Sequence, residues 1–408
     1  MFAPKCYPPA GAEAIVTSKL LVAAMRDAWD IDVISYAGSG QFYPSNLDGI
    51  WKPIENIVHN IGGSIGSGSS ISKKSWIPKY PLNRFHSFYW VIKSLILACR
   101  LLSGKRYDII LSRVNPQYGH MPALLLSMWI GLPWIANWSD PLPSQKSPPP
   151  NGHGPDAPIS PFAQKYYELV VRKATWHTFP CERMLKYICS YFPGCADKSS
   201  VIPHVALESL RKTSTNTTPE FTLCHVGSLG LRNPDVFLEG LKRFLRIAKI
   251  DGGFSVKFIG AELNYILGKV KYLHMENVVS VEKPKPYEIA QNIMSNSSVL
   301  VVIEASFKEG IFFPSKFVDF VQTGRPILAI SPPVGSLTDV ISVYGGGIVA
   351  DCRSPSAVAK AIETLYTEWK AGTIDETYGS FRLFDLFREQ KIIEVYRNLF
   401  KRIYFDSK

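Results

Sequence analysis

Short apolar runs alternate with longer stretches of helical periodicity along almost the whole chain. In the first half the runs are 32–35 (DVIS), 107–112 (YDIILS), 132–137 (LPWIAN), 176–179 and 200–203. Helix-like segments lie between them at 14–28, 88–102 and 122–129. A second series starts at 222–226 (TLCHV), with a helix at 235–248. It continues through 256–259 (VKFI), 278–281, 298–303 (SVLVVI), 326–330 (PILAI) and 347–350. Strands that alternate with helices are joined by right-handed crossovers, so both series predict α/β units with mainly parallel sheets. The unbroken apolar run 298–303 reads as a strand buried on both faces.

The two series part at 206–220, where KTSTNTTPE is polar and turn-rich. This predicts two domains, 1–205 and 206–386, as a chain of 408 residues leads one to expect. Beyond them, Ile392, Val395, Tyr396, Leu399 and Ile403 sit at helical spacing. A terminal helix over 387–405 is expected to pack back on the first domain. The Gly/Ser-rich stretch 62–72 and the proline-rich stretch 144–161 are read as loops.

Composition narrows the picture. A hydrophobic fraction of 46% and a charged fraction of 19% fit a chain with packed cores. The apolar run 88–102 is broken by Lys93 and Arg100, and 123–134 contains Pro133, so neither reads as a membrane span. Lys5, Pro8, Pro9 and Glu13 interrupt any signal-peptide core. The expected location is cytoplasmic, with peripheral attachment at the inner face of the cell membrane as the refinement. The net charge is +11, and residues 1–205 hold 20 Lys and Arg against 12 Asp and Glu. Basic and aromatic residues interleave between Lys73 and Arg106, which suits an anionic membrane surface. No nucleic-acid motif accompanies the charge, so nucleic acid is not expected as a partner. The seven cysteines lack C-x-x-C spacing. They read as reduced structural thiols, with neither a zinc site nor a disulfide framework.

The strongest chemical signal is 313–329, FPSKFVDFVQTGRPILA, between two strands. A lysine at a helix start adds its ammonium to unpaired N–H groups and makes an anion site suited to a diphosphate. Asp319 follows Lys316 by three residues and shares its helix face, where a carboxylate can accept from two ribose hydroxyls. Asn137-Trp-Ser-Asp-Pro141 ends a predicted strand, and carboxyl ends of strands face the ligand crevice of an open α/β sheet. Asp140 is thus a candidate to bind a ligand or accept a proton in that crevice, its rival role being a loop cap before proline. His120 either lines the cleft or is a capping or surface histidine. Arg183 either reaches the cleft or, the preferred reading, belongs to a solvated helix face. Asp30-Ile-Asp32 has D-x-D form but leads into a strand, and is rejected as a metal motif.

The 313–329 block resembles the PSK-x-x-E-Y-x-x-x-G-x-P-I signature of the retaining glycosyltransferases of family 4, through Pro314, Ser315, Lys316, Asp319, Gly324 and Pro326. Asp319 stands where that family has Glu, and Ile311 stands where its E-x7-E pattern has the first Glu. Val226-Gly-Ser-Leu-Gly-Leu-Arg-Asn-Pro234 is similar to the family's glycine turn, and Tyr7-Pro-Pro-Ala-Gly-Ala-Glu13 to its Y-P-P-x-x-G-G-A-E loop. The resemblance implies a GT-B fold, two Rossmann-like domains facing an interdomain cleft. It implies donor contacts from Gly11, Ala12, Glu13, Gly227, Ser228, Ser315, Lys316 and Asp319. Asp140, Lys316, Arg232 and His120 are the catalytic candidates. The expected reaction moves a hexosyl or N-acetylhexosaminyl group from a nucleotide-sugar to an oligosaccharide or polyprenyl-diphosphate-linked acceptor, with retention, in bacterial polysaccharide biosynthesis. No cofactor or metal is expected beyond the nucleotide-sugar co-substrate. The rival readings are a nucleotide-sugar epimerase and a non-catalytic sugar-nucleotide-binding partner. The family's first strand has only Met1–Ala3 to form it here, so that strand is either short or begins upstream.

Overall fold

The computed structural model describes all residues except 9–10, 37–48, 62–83, 115–116, 212–217, 249, 251–252 and 407–408. The loop read at 62–72 and the basic residues from Lys73 to Lys79 lie outside the described residues. The strands are β1 Val33–Ser35, β2 Val58–Asn60, β3 Ile110–Arg113, β4 Trp134–Asn137, β5 Trp176–Phe179, β6 Ser199–Val201, β7 Phe221–Val226, β8 Phe254–Ile259, β9 Val279–Glu282, β10 Val299–Ile303, β11 Ile327–Ser331 and β12 Gly347–Asp351. The helices are α1 Ala12–Arg26, α2 Arg84–Gly104, α3 Met121–Ile130, α4 Pro161–Lys173, α5 Glu182–Tyr191, α6 Asp235–Ile247, α7 Leu263–Tyr272, α8 Tyr287–Ser295, α9 Ser315–Gln322, α10 Ser336–Tyr344, α11 Pro355–Lys370, α12 Ile374–Tyr378, α13 Phe381–Phe387 and α14 Glu389–Asp406.

Every strand pairing is parallel. The second sheet runs β12-β11-β10-β7-β8-β9. Its order reverses between β7 and β10, the doubly wound arrangement that opens a crevice at the strands' carboxyl ends. The first half pairs β1 with β2 and orders β3-β4-β5-β6. Phe2 joins the two pieces, bridging Ile34 on one side and Ser112 on the other. Its amide donates to Leu111 O at 2.8 Å, and its carbonyl accepts from Arg113 N at 2.9 Å. Met1–Ala3 therefore does the work of a first strand, and the first sheet reverses between Phe2 and β3.

The chain passes between the sheets near Ala206 and returns near Arg388, where the two segments pair in parallel. Ala206 N donates to Phe387 O at 2.7 Å, and Glu389 N to Ala206 O at 3.1 Å. Helix α14 then crosses to the first sheet. Its Ile392, Ile393, Tyr396, Leu399 and Ile403 share a core with Leu20, Val22, Trp51, Ile135 and Trp176. One expectation about the cysteines is corrected. The structure joins Cys189 of α5 to Cys195 as a disulfide, their Cα atoms 5.9 Å apart. The turn after α5 brings two residues six apart into bridging reach, which spacing rules tuned to C-x-x-C do not register.

Candidate functional site

The second sheet's switch point collects the residues of the glycine turn and of α9. Strand β7 ends at Gly227, whose φ is +98°, a value that favours glycine. A Cβ there would lie 3.3 Å from Lys316 Nζ, so the turn also needs the missing side chain to admit the lysine. Helix α9 starts behind Pro314 with no side-chain cap. Lys316 Nζ donates to Ser228 O at 3.1 Å and lies 3.4 Å from His225 Nε2. Burial, and then the neighbouring Arg232 guanidinium, push the Lys316 ammonium down to about 7. Arg232 is held in place by Nη1 donating to Leu229 O at 3.2 Å. Two cations at one helix start, with no carboxylate ion-paired to Lys316 among the described residues, make an electrostatically unsatisfied seat for an anion.

Two carboxylates beside this seat were not singled out from the sequence as site residues. Glu262 accepts from Ser228 Oγ at 2.6 Å, Gly230 N at 2.9 Å and Leu229 N at 3.0 Å. These hydrogen bonds lower its pKa against burial. The Ser228 hydroxyl, a donor-binding candidate, is therefore engaged by Glu262. Glu304 follows β10 and is almost fully buried. Burial pushes its carboxyl up to about 7, opposed by a hydrogen bond from Ser331 and by Arg232. Nothing local in the sequence reveals a side chain buried by the loop 304–314 folding over it.

Within the protein, Asp319 is held by two side chains from outside α9. Its Oδ1 accepts from Lys19 Nζ at 2.9 Å and from Tyr287 OH at 2.6 Å. Lys19 belongs to α1, beside the first sheet, and is buried. Burial lowers the Lys19 pKa, and Asp319 works against that. The carboxylate read as a ribose ligand thus ties α9 to α1 across the two halves.

At the first sheet's switch point, Glu13, Arg113 and Ser139 close on one another. Glu13 Oε1 accepts from Arg113 Nε at 3.0 Å and from Ser139 Oγ at 3.1 Å, while Arg113 Nη2 donates to Ser139 Oγ at 3.3 Å. The Arg113 side chain is 5% exposed. A small cavity beneath is lined by Arg113, Asn137, Trp138, His204 and Tyr396. Gly11, at φ +92°, and Ala12 are exposed at the start of α1. Asp140 is half-buried in the loop after β4.

His120 requires a correction, because it sits at the N-cap position of α3 but its side chain neither lines a cleft nor makes a capping hydrogen bond. It is fully buried, packed edge-on against Trp134 and Trp138, with Nδ1 2.7 Å from Ser112 Oγ. Burial pushes it down to about 3, so it is a neutral core residue. Arg183 is corrected too. It is not on a solvated face. It donates to Asp339, with Nη2 to Oδ1 at 2.7 Å, and also pairs with Glu309. Nearby, Cys181 Sγ donates to Ile311 O at 3.3 Å, so the start of α5 is stitched to the loop before α9 and to α10. Asp30 and Asp32, rejected above as a metal motif, lie at the opposite ends of the strands. Both pair with Lys105, and Asp32 also holds Tyr107 at 2.7 Å and His59 at 2.8 Å.

No family model matches the sequence, and no curated protein does either. Solved structures do match over nearly the whole chain. A glycosyltransferase from Rickettsia africae superposes with a TM-score of 0.67 at 13% identity, covering 95% of this chain and 94% of that one. HepE from Anabaena, solved with UDP, gives 0.65 at 16% identity over 97% of both chains. A sucrose-phosphate synthase from Thermosynechococcus elongatus gives 0.66 at 14% identity, covering 97% and 94%. The fold is α/β of the GT-B kind, with two parallel sheets consistent with two Rossmann-like domains.

Proposed function

We propose that the chain is a nucleotide-sugar-dependent glycosyltransferase whose donor diphosphate sits against Lys316. The observation that carries this reading is the Lys316 seat itself. An ammonium held near neutrality of charge by burial and by Arg232 gains most when an anion arrives. The glycine turn leaves room for close approach by that anion. The HepE structures with UDP and with UDP-glucose support a uridine nucleotide as the first donor to test. We assign the domains as 1–205 and 206–386, with α14 returning to the first. Asp140, in the loop after β4, is the residue we assign to the acceptor. Transfer of a hexosyl or N-acetylhexosaminyl group with retention, without a metal, to an oligosaccharide or polyprenyl-diphosphate-linked acceptor on the cytoplasmic side, is the finer form of the proposal. Its setting would be polysaccharide biosynthesis.

A second reading is a nucleotide-sugar epimerase. A UDP-N-acetylglucosamine 2-epimerase shares the fold at a TM-score of 0.54, and Glu304 holds a carboxyl poised near pH 7. The experiment has two stages. A thermal-shift screen against UDP-, GDP-, dTDP- and CMP-sugars finds the donor, because a ligand of the native state raises its stability. Turnover of that donor is then measured with and without a lipid-linked acceptor. Transfer requires the acceptor, epimerisation proceeds without it, and a binding module shows neither.

A further inference from the structure

Helices α2 and α3 lie side by side on the outside of the first sheet, and their outer faces are apolar without a covering element among the described residues. Phe88, Ile92 and Ile96 form one stripe at i, i+4 and i+8 on α2. Leu125, Met128 and Trp129 form the neighbouring stripe on α3. All six are exposed, Trp129 to 70% and Phe88 to 65%. Scattered single apolar residues on a surface need no explanation, but six on two adjacent helices do.

The charge around this face is one-sided. Among the described residues of 84–139, Lys93, Arg100 and Arg106 are exposed and Asp108 is the single acid, while Lys105 and Arg113 are ion-paired with Asp30, Asp32 and Glu13. Helix α2 itself carries no acidic residue and presents Lys93 and Arg100 to solvent. Lys93 Nζ stands 5.6 Å from the centre of the Tyr89 ring, so cation and apolar stripe are contiguous. Apolar side chains flanked by lysine and arginine with no acid between them match an anionic bilayer, where the acyl boundary takes the first and the headgroups the second. A second copy of this face would bring like charge against like charge, which disfavours self-pairing.

We propose that the α2–α3 face docks the protein on an anionic lipid bilayer, with Ile96, Met128 and Trp129 entering the headgroup–acyl boundary. No helix among the described residues is long and apolar enough to cross a membrane, so the contact is interfacial. The stripe reaches the carboxyl-end side of the sheet, because Tyr89 OH donates to Ile61 O at 3.3 Å and Tyr89 packs edge-on against Tyr36 after β1. The face thus runs from the crevice end of the sheet, at Phe88 and Tyr89, to its opposite end at Trp129. The docking rests on this surface alone and not on the transferase reading.

The test uses the full chain and sedimentation with vesicles. One set is phosphatidylcholine alone, and the other contains about a third phosphatidylglycerol. The expected result is binding to the anionic vesicles only, weakened by salt, with a blue shift of emission that Trp129→Phe removes. The pair Ile96→Glu and Trp129→Glu should lower vesicle affinity by at least about tenfold at an unchanged melting temperature. Lys93→Gln and Arg100→Gln should each lower it about fivefold. Equal binding to both vesicle sets, binding to neither, or unchanged binding by the double glutamate variant overturns the proposal. So does a dimer in sedimentation velocity that this variant abolishes, which would give the face to a second copy. Donor binding is measured in the same variants. Vesicle binding lost with donor binding intact separates this surface from the Lys316 site, and failure of the donor assay alone leaves the surface standing.

Discussion

The two sheets have the same reversal of strand order, yet their switch points treat a cation in opposite ways. At the first, Arg113 is enclosed by Glu13 and Ser139, and its charge is answered within the protein. At the second, Lys316 is pressed against Gly227 and Arg232 and leans on a carbonyl and a histidine. One cation is ion-paired within the protein, and the other makes no ion pair among the described residues, with Glu262 and Asp319 acting on it only from beyond contact. A cation with its own carboxylate serves folding. A cation denied one is available to a ligand.

That contrast can be broken or sharpened by four measurements. The largest effect is expected from Lys316→Ala, which should cut donor turnover about 100- to 1,000-fold. It should leave thermal stability unchanged or higher, because a half-buried ammonium with no ion pair among the described residues is removed. Near-normal turnover would end the diphosphate assignment. Arg113→Met should do the reverse and destabilise by about 3 kcal/mol, since it strands the Glu13 carboxylate. Urea denaturation measures this, and a cost well below 1 kcal/mol would mean that the pair is not structural.

Next comes pH. Lys316 is lowered from its ordinary value to about 7, so in the empty protein it loses its proton as pH rises through 7. Nucleotide-sugar affinity should be level below that point and weaken about tenfold per pH unit above it. Lys316→Arg should flatten the profile, and titration calorimetry reads both. The smallest effect concerns Glu304, raised from 4.5 to about 7. Between pH 4.5 and 7 the folded protein holds more protons on this group than the unfolded chain does, so stability falls as pH rises across that window. Glu304→Gln should remove this part of the slope and gain about 1–2 kcal/mol at pH 8. Parallel denaturation curves of the two proteins across the window would contradict it.

Much of the architecture was readable because its signals are local. The apolar runs at 176–179 and 347–350 lie within observed strands, the run at 298–303 overshoots β10 by one residue, and the terminal helix at 387–405 was displaced by only one or two residues. Strand β2, Val58–Asn60, went unread because a three-residue edge strand has too little periodicity. The position of Lys316 at a helix start, in the first turn of α9, was legible in the run that follows Pro314. The partners of Asp319 were not, since Lys19 is 300 positions away and looks like any other lysine in an amphipathic helix. His120 and Arg183 failed for the same cause. Whether a histidine is buried between tryptophans, or an arginine meets two acids, depends on contacts that no local pattern encodes. Glu262 and Glu304 belong with them.

Helix α14 has a temporal meaning as well. Its apolar face completes a core begun by α1, and Arg26 pairs with Glu389 while Arg397 pairs with Asp27. Contacts spanning more than 360 positions give the first half of the chain a high contact order. During synthesis the residues made first would have to wait for those made last, with Leu20, Ile135 and Trp176 uncovered in the interval. The second sheet, whose core draws on residues 221–374, can close earlier. Folding should therefore run opposite to the order of translation, the later-made half settling first and the earlier-made half last.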